Sequence, residues 1–135
     1  MNVFVDTNVF LDAFLNRDDG SAKEVLKFFA VKQVALFIND ITIINIAYIL
    51  RKAFSPDSIK AIIDLMTDEY RIICADERII TNANRSGFED FEDGVQYACA
   101  QKAKADMIIT GNKRDFIRSD IDVLSPVEFV QLYIR

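Results

Sequence analysis

Asn2-Val3-Phe4-Val5-Asp6-Thr7-Asn8-Val9-Phe10-Leu11 is the stretch that decides the fold. Asn2 to Val5 is a short β-prone apolar run that ends on a carboxylate. From Asn8 to Leu15 the apolar positions Val9, Phe10, Ala13 and Phe14 then recur at helical spacing. A strand thus passes directly into a helix, and the strand is apolar throughout rather than alternating. That pattern predicts a mainly parallel sheet covered by helices on both faces.

The same grammar repeats downstream. Asn16 to Ser21 reads as a turn, Ala22 to Val31 as a one-faced helix and Val34 to Ile38 as a second buried strand. Asp40 opens a long helix through Ile43, Ile44, Ala47, Tyr48, Ile49 and Leu50; Ser55-Pro56-Asp57 ends it and caps a helix from Ser58 to about Thr67. Arg71 to Ala75, Asp106 to Thr110 and Val123-Leu124 read as further strands. Glu77 to Ala83, Phe91 to Lys104 and Pro126 to Tyr133 read as further helices, the last with Pro in its first turn. The expected fold class is α/β, a three-layer α/β/α sandwich with a mainly parallel central sheet. The 135 residues, 51% hydrophobic and 27% charged, contain only two Pro and four Gly, so a single domain over 1–135 is expected with no linker.

Composition narrows the chemistry. The absence of histidine excludes imidazole general bases and His-ligated zinc. Cys74 and Cys99 lack the close pairing of metal or redox motifs and are read as buried packing residues in a reducing compartment. The N-terminus shows no basic leader or long apolar segment, and no apolar run is long enough to span a bilayer, so a cytoplasmic protein is expected. A net charge of −5 opposes simple electrostatic binding of nucleic acid. That objection is met where the acids gather around a cation, which reverses the sign felt by an approaching phosphate.

In parallel sheets ligands sit beyond the carboxyl ends of the strands. Asp6 follows the first strand at once, and is equally readable as the N-cap of the next helix. Phe88-Glu89-Asp90-Phe91-Glu92-Asp93-Gly94 puts four acids at one helix start, more than the helix dipole needs. Ile108-Ile109-Thr110-Gly111-Asn112-Lys113-Arg114-Asp115-Phe116 runs a strand into a polar turn with another acid. Asp6, Asp115 and a member of the cluster Glu89, Asp90, Glu92 and Asp93 are therefore expected to converge on a cation. Oxygen-only ligands select Mg²⁺ or Mn²⁺, and phosphodiester hydrolysis is the chemistry such a site suits best.

These segments, in this order, resemble the motifs of the PIN-domain family, and most closely its VapC-like toxin ribonucleases of bacterial toxin–antitoxin pairs. Val3 to Val9 is similar to the family's first motif, Phe91 to Ala98 to the one bearing its third acid, and Ile109 to Phe116 to its last. The resemblance covers almost the whole chain. It implies a sheet of order 3-2-1-4-5 with the acids at its centre, an RNA substrate, Mg²⁺ or Mn²⁺ as cofactor, homodimers and a small antitoxin partner. It also implies that the cluster's ligand is Asp93, so that Asp6, Asp93 and Asp115 bind the cation and serve catalysis with Asp90 assisting at the rim, and that Thr7, Asn8, Thr110 and Asn112 orient the ligands. Ile43 to Arg51 departs from the pattern, because Asn45 stands where the family carries its second acid, a Glu; Asn45 is expected to assist catalysis without charge, and Asp40, five residues earlier, is the lesser candidate for a substitute ligand. Lys113 and Arg114 are expected to contact RNA phosphates, with Arg51 and Lys52 as further candidates. Two other classes stay open. One is a catalytically weakened PIN-like binding module, motivated by Asn45. The other is a phosphotransfer receiver, which wants an acid pair beyond the third strand where only Asp76 stands; a dehalogenase-type phosphatase would need Asp at Asn8. The apolar groups around Phe28-Phe29 and Ile59-Ile62-Ile63 are read as core or as an interface.

Overall fold

The computed structural model describes residues 1–135. Strand β1 (Val3–Val5) leads into helix α1 (Thr7–Leu15), followed by α2 (Ser21–Lys32), β2 (Leu36–Asn39), α3 (Asp40–Leu50), α4 (Pro56–Glu69) and β3 (Tyr70–Ile73). The second half comprises α5 (Glu77–Arg85), α6 (Phe91–Lys102), β4 (Met107–Ile109), a 3₁₀ turn over Lys113–Phe116, β5 (Asp122–Leu124) and α7 (Pro126–Phe129), which continues as a π-helical turn over Val130–Ile134. The five strands form one sheet of order β3-β2-β1-β4-β5. Every pair is parallel, with Val3 opposite Leu36 on one side and Met107 on the other.

Side-chain alternation along the strands generates the layers. Val3, Val5, Met107 and Ile109 enter one core with Phe10, Phe29, Ile46, Leu50, Met66 and Phe129, drawn from α1 to α4 and α7. Phe4 and Ile108 point the other way, into a second core with Ile79, Val95, Cys99 and Phe116 beneath α5 and α6. Since β1 and β4 are wholly buried, neither could alternate apolar with polar, which is why both read as continuous apolar runs.

Boundaries shift from the sequence reading for local reasons. The first helix starts at Thr7 rather than Asn8, because Asp6 is its N-cap and accepts a bond from Thr7 N–H. Asn39 caps α3 in the same way through Thr42 N–H at 2.8 Å, so β2 runs to Asn39. The sixth helix stops at Lys102, and Lys104 adopts φ 52°, a left-handed turn that feeds β4. Cys99 is buried as expected, but Cys74 is exposed, because it follows β3 at the open edge of the sheet. Phe29 is core, with Phe28, Ile59 and Ile62 packed against it. The exposed apolar groups include instead Val31 on α2, Ile44, Tyr48 and Ile49 on α3, Leu65 on α4, Ile117 after the 3₁₀ turn, and Leu132 and Tyr133 near the C-terminus.

Candidate active site

The two central strands, β1 and β4, deliver their polar continuations to the same edge. Asp6 N–H bonds Ile109 O at 2.9 Å, and Thr110 N–H bonds Leu124 O at 3.1 Å, so the ladder extends one residue past each strand. There the Thr110 hydroxyl, fully buried, donates to Asp6 Oδ2 at 2.8 Å. Thr7 N–H donates to Asp6 Oδ1 at 2.8 Å and the Asn8 amide to Oδ2 at 3.2 Å. Asn8 Oδ1 in turn accepts from Gly111 N–H at 2.9 Å, and a Cβ on Gly111 would stand 3.3 Å from that oxygen, so only a bare residue passes here without crowding. Asp6 is thus fixed from three sides, both as helix cap and as a charge facing outward from the sheet.

A cavity of about 500 Å³ opens over Asp6. Asp6, Thr7, Asn8 and Leu11 line it from α1, Asn45, Tyr48 and Ile49 from α3, Asp90, Glu92 and Asp93 from the start of α6, and Asp115 from the 3₁₀ turn. The chain's ion pairs, Arg17–Asp12, Lys102–Asp76, Lys113–Glu128 and Arg135–Glu24, leave all of these acids unneutralised. Burial, the largest effect, pushes the Asp6 carboxyl up to about 6 against the Thr110 and Thr7 donors, with Glu92 and Asp115 adding repulsion. Burial likewise pushes Asp93 up to about 7, helped by the charges of Asp115, Asp90, Asp6 and Glu92. Acids from separate segments therefore sense one another across one space.

Their oxygen-only chemistry fits a hard divalent cation. The fit is loose, because no three acidic or thiol groups of the chain are gathered closely enough to ligate one ion. The sequence expectation of Asp6, Asp93 and Asp115 closing on one point is met only as far as a shared cavity. Protein donors hold the carboxylates apart: Asp6 is engaged as above, Asn112 Nδ2 holds Asp115 Oδ2 at 2.6 Å, and Asp90 Oδ1 caps α6 through Asp93 N–H at 3.0 Å. Mutual repulsion acts in the same direction.

Beneath the cavity lies a buried polar knot absent from the sequence reading. Thr7 and Thr42 hydroxyls bond at 2.8 Å, and Gln96 Nε2 donates to them at 3.0 and 3.2 Å. It ties α1, α3 and α6, the three helices that carry Asp6, Asn45 and Asp93. Glu92, read from sequence only as one of four acids at a helix start, also enters the cavity, and its Oε1 accepts from Asn45 Nδ2 at 3.2 Å. Helical spacing held a clue to both, since Thr42 precedes Asn45 by one turn and Gln96 follows Glu92 by one turn.

Other expected residues fall outside the cavity. Asp40 Oδ1 accepts from Ala75 N–H at 3.1 Å and staples α3 to the end of β3. Lys113 is drawn to Glu128 at 3.0 Å, and Arg51 lies over the Tyr48 ring at 3.6 Å from its centroid. Arg114 lines an adjoining cavity of about 240 Å³, together with Arg118, which the sequence reading missed. Asp90, Asp93 and Asp115 line both cavities and form the wall between them.

An all-parallel α/β/α sandwich with an acid-lined cavity beyond its central strands is the class that fold and site define. The family model described as PIN domain matches residues 2–114. The chain belongs to the PIN-domain family. No protein of curated function matches it. Among solved structures it is similar to VapBC2 from Rickettsia felis bound to a promoter DNA fragment, at TM-score 0.70 and 19% identity over 93% of this chain and 98% of that one. It is also similar to a toxin–antitoxin complex from Klebsiella pneumoniae, at TM-score 0.70 and 21% identity over 92% and 97% of the two chains. VapBC-1 from nontypeable Haemophilus influenzae gives TM-score 0.70 and 18% identity over 94% and 99%. At such identities the likeness speaks for the fold.

Proposed function

We propose that this protein is a Mg²⁺- or Mn²⁺-dependent endoribonuclease that hydrolyses RNA phosphodiesters, the toxin of a cytoplasmic toxin–antitoxin pair. The observation that carries the reading is the cavity in which Asp6, Asp90, Glu92, Asp93 and Asp115 face one another with no cationic side chain among them. Membership of the PIN-domain family supports it. Solved structures of the same fold that are toxin–antitoxin complexes support a small antitoxin as partner. A homodimer is part of the same reading, with the exposed apolar residues Ile44, Tyr48 and Ile49 available to a partner.

Asp6, Asp93 and Asp115 would hold the cation, with Asp90 at the rim and Asn45 facing them from α3. When bound, the ion supplies positive charge that offsets the phosphate and eases deprotonation of water. The chain's own part is positioning. Thr110 Oγ1 and Thr7 N–H fix both Asp6 oxygens, Asn8 adds a further bond, and Asn112 fixes one oxygen of Asp115. Arg114 and Arg118 line the adjoining cavity and would take the flanking phosphates of a strand that crosses the shared acid wall, whereas Lys113 would reach RNA only by leaving Glu128.

The test is cleavage of labelled single-stranded RNA with Mg²⁺ or Mn²⁺, with EDTA, and with Asp93→Asn. The expected result is metal-dependent endonucleolytic products, with Asp93→Asn slower by on the order of a hundredfold. RNA retained but never cut would favour the binding-module reading that Asn45 motivates, and no binding at all would remove RNA as the substrate.

A further inference from the structure

We propose that Glu92 is a cation-binding carboxylate of the cavity and that Asn45 is the positioning residue that aims it. The proposal rests on the metal-dependent reading above and deepens it, since that reading gives the ion to Asp6, Asp93 and Asp115. An acid in the first turn of a helix has a simpler role, offsetting the dipole from solvent. Glu92 does something more specific. Its Oε1 accepts from Asn45 Nδ2 at 3.2 Å, an α6-to-α3 link between residues 47 apart, and both side chains line the cavity. Glu92 Oε2 takes no hydrogen bond from the protein, and no Lys or Arg forms an ion pair with the residue.

The choice of partner matters. A lysine at position 45 would cancel the charge, and a carboxylate there would repel it. An amide N–H does neither: it orders a flexible side chain, at a cost in rotamer freedom, and leaves the negative charge intact. A neutral donor on α3 and an acid on α6 therefore work as one unit. The charge that Asn45 does not bring to the α3 wall is brought to the same place from α6, so the amide at this position does not leave the cavity short of a carboxylate.

Calorimetric titration of Mn²⁺ into the purified full chain tests this, alongside Glu92→Gln, Asn45→Ala and the exchanged pair Asn45→Glu with Glu92→Gln. Glu92→Gln is expected to weaken Mn²⁺ binding by about tenfold or more, Asn45→Ala by less, and the exchanged pair to recover most of the loss. Thermal melts in EDTA check that each variant folds as the parent does. Wild-type affinity in Glu92→Gln would overturn the assignment of Glu92 while leaving the metal-dependent reading intact. Wild-type affinity in Asn45→Ala would remove Asn45 from the positioning role. A parent chain that takes up no Mn²⁺ would overturn both the proposal and the reading beneath it.

Discussion

Asp6 shows how one side chain serves two purposes that sequence leaves as alternatives. It caps α1 through Thr7 N–H and also projects into the acid cavity, because the cap position of a helix that follows a central strand lies at the carboxyl edge of the sheet. The motif acids were legible because each sits directly after a strand or at a helix start. Gln96, Arg118 and the individual part of Glu92 within its cluster were not, because the phase and packing of α6 and the course of the turn after β4 decide which side chains reach the cavities. Thr110 allows a test at this scale. Thr110→Val keeps the shape but removes the hydroxyl that donates to Asp6 Oδ2, leaving a nearly buried carboxylate short of a charge-stabilising bond. Folded Asp6 already titrates at about 6, above its ordinary value, so the unfolded chain releases this proton first and the cost of burying the charge grows as pH rises toward 6. Losing the donor raises the folded value further. Urea denaturation of the metal-free variant is therefore expected to show a loss of about 1–3 kcal/mol at pH 8 and a smaller one at pH 5; equal losses at both would mean that the Thr110 bond does not serve the charged form.

The elements most legible in the sequence were those whose burial leaves a strong pattern. Strands β1 and β4 had to be apolar throughout, and α1 to α4 each present an apolar stripe to one core. Their ends were less legible, since caps such as Asn39 and the left-handed Lys104 act through single backbone bonds that no periodicity records. The order of strands was not read from periodicity at all; it came from the family resemblance, because pairing in a parallel sheet is fixed by where the crossover helices pack. One such contact is unusually tight. A Cβ on Gly94 would stand 3.2 Å from Ala83 O and 3.2 Å from Ser86 Oγ, so α6 lies against the end of α5 with no room for a side chain. Gly94→Val is expected to destabilise the protein by roughly 1–3 kcal/mol through this crowding. Because Glu92 and Asp93 precede Gly94 on the same turn, the variant should also bind Mn²⁺ more weakly even where melts show it folded. Parental stability in chemical denaturation would mean that α5 and α6 separate without cost.

At the scale of the whole molecule, the net charge of −5 first argued against nucleic acid as a partner, yet its distribution matters more than its sum. Acids that crowd one cavity destabilise the metal-free fold whenever they are ionised. Both Asp6, at about 6, and Asp93, at about 7, are raised, so the folded chain holds protons that the unfolded chain has already lost. Stability from these groups is fully present below about pH 4 and is lost as pH rises through 7. The lowered carboxyls Asp19, Asp76 and Glu128 act oppositely, but only at pH values near or below the ordinary carboxylate range, so the interval from pH 5 to 8 isolates the cavity. In EDTA the melting temperature is expected to fall across that interval by on the order of 10 °C, at about 4 °C per kcal/mol for a domain of this size and with the contribution of the half-exposed Asp93 discounted for solvent screening. Mn²⁺ should restore most of the loss at pH 8 and little at pH 5, where protonation already relieves the repulsion, because a ligand stabilises only the state that binds it. Asp93→Asn should flatten the EDTA curve by removing the group with the higher value. A melting temperature independent of both pH and Mn²⁺ would mean that these carboxylates share a cavity without sharing a charge problem, and the case for a cation there would lose its energetic basis.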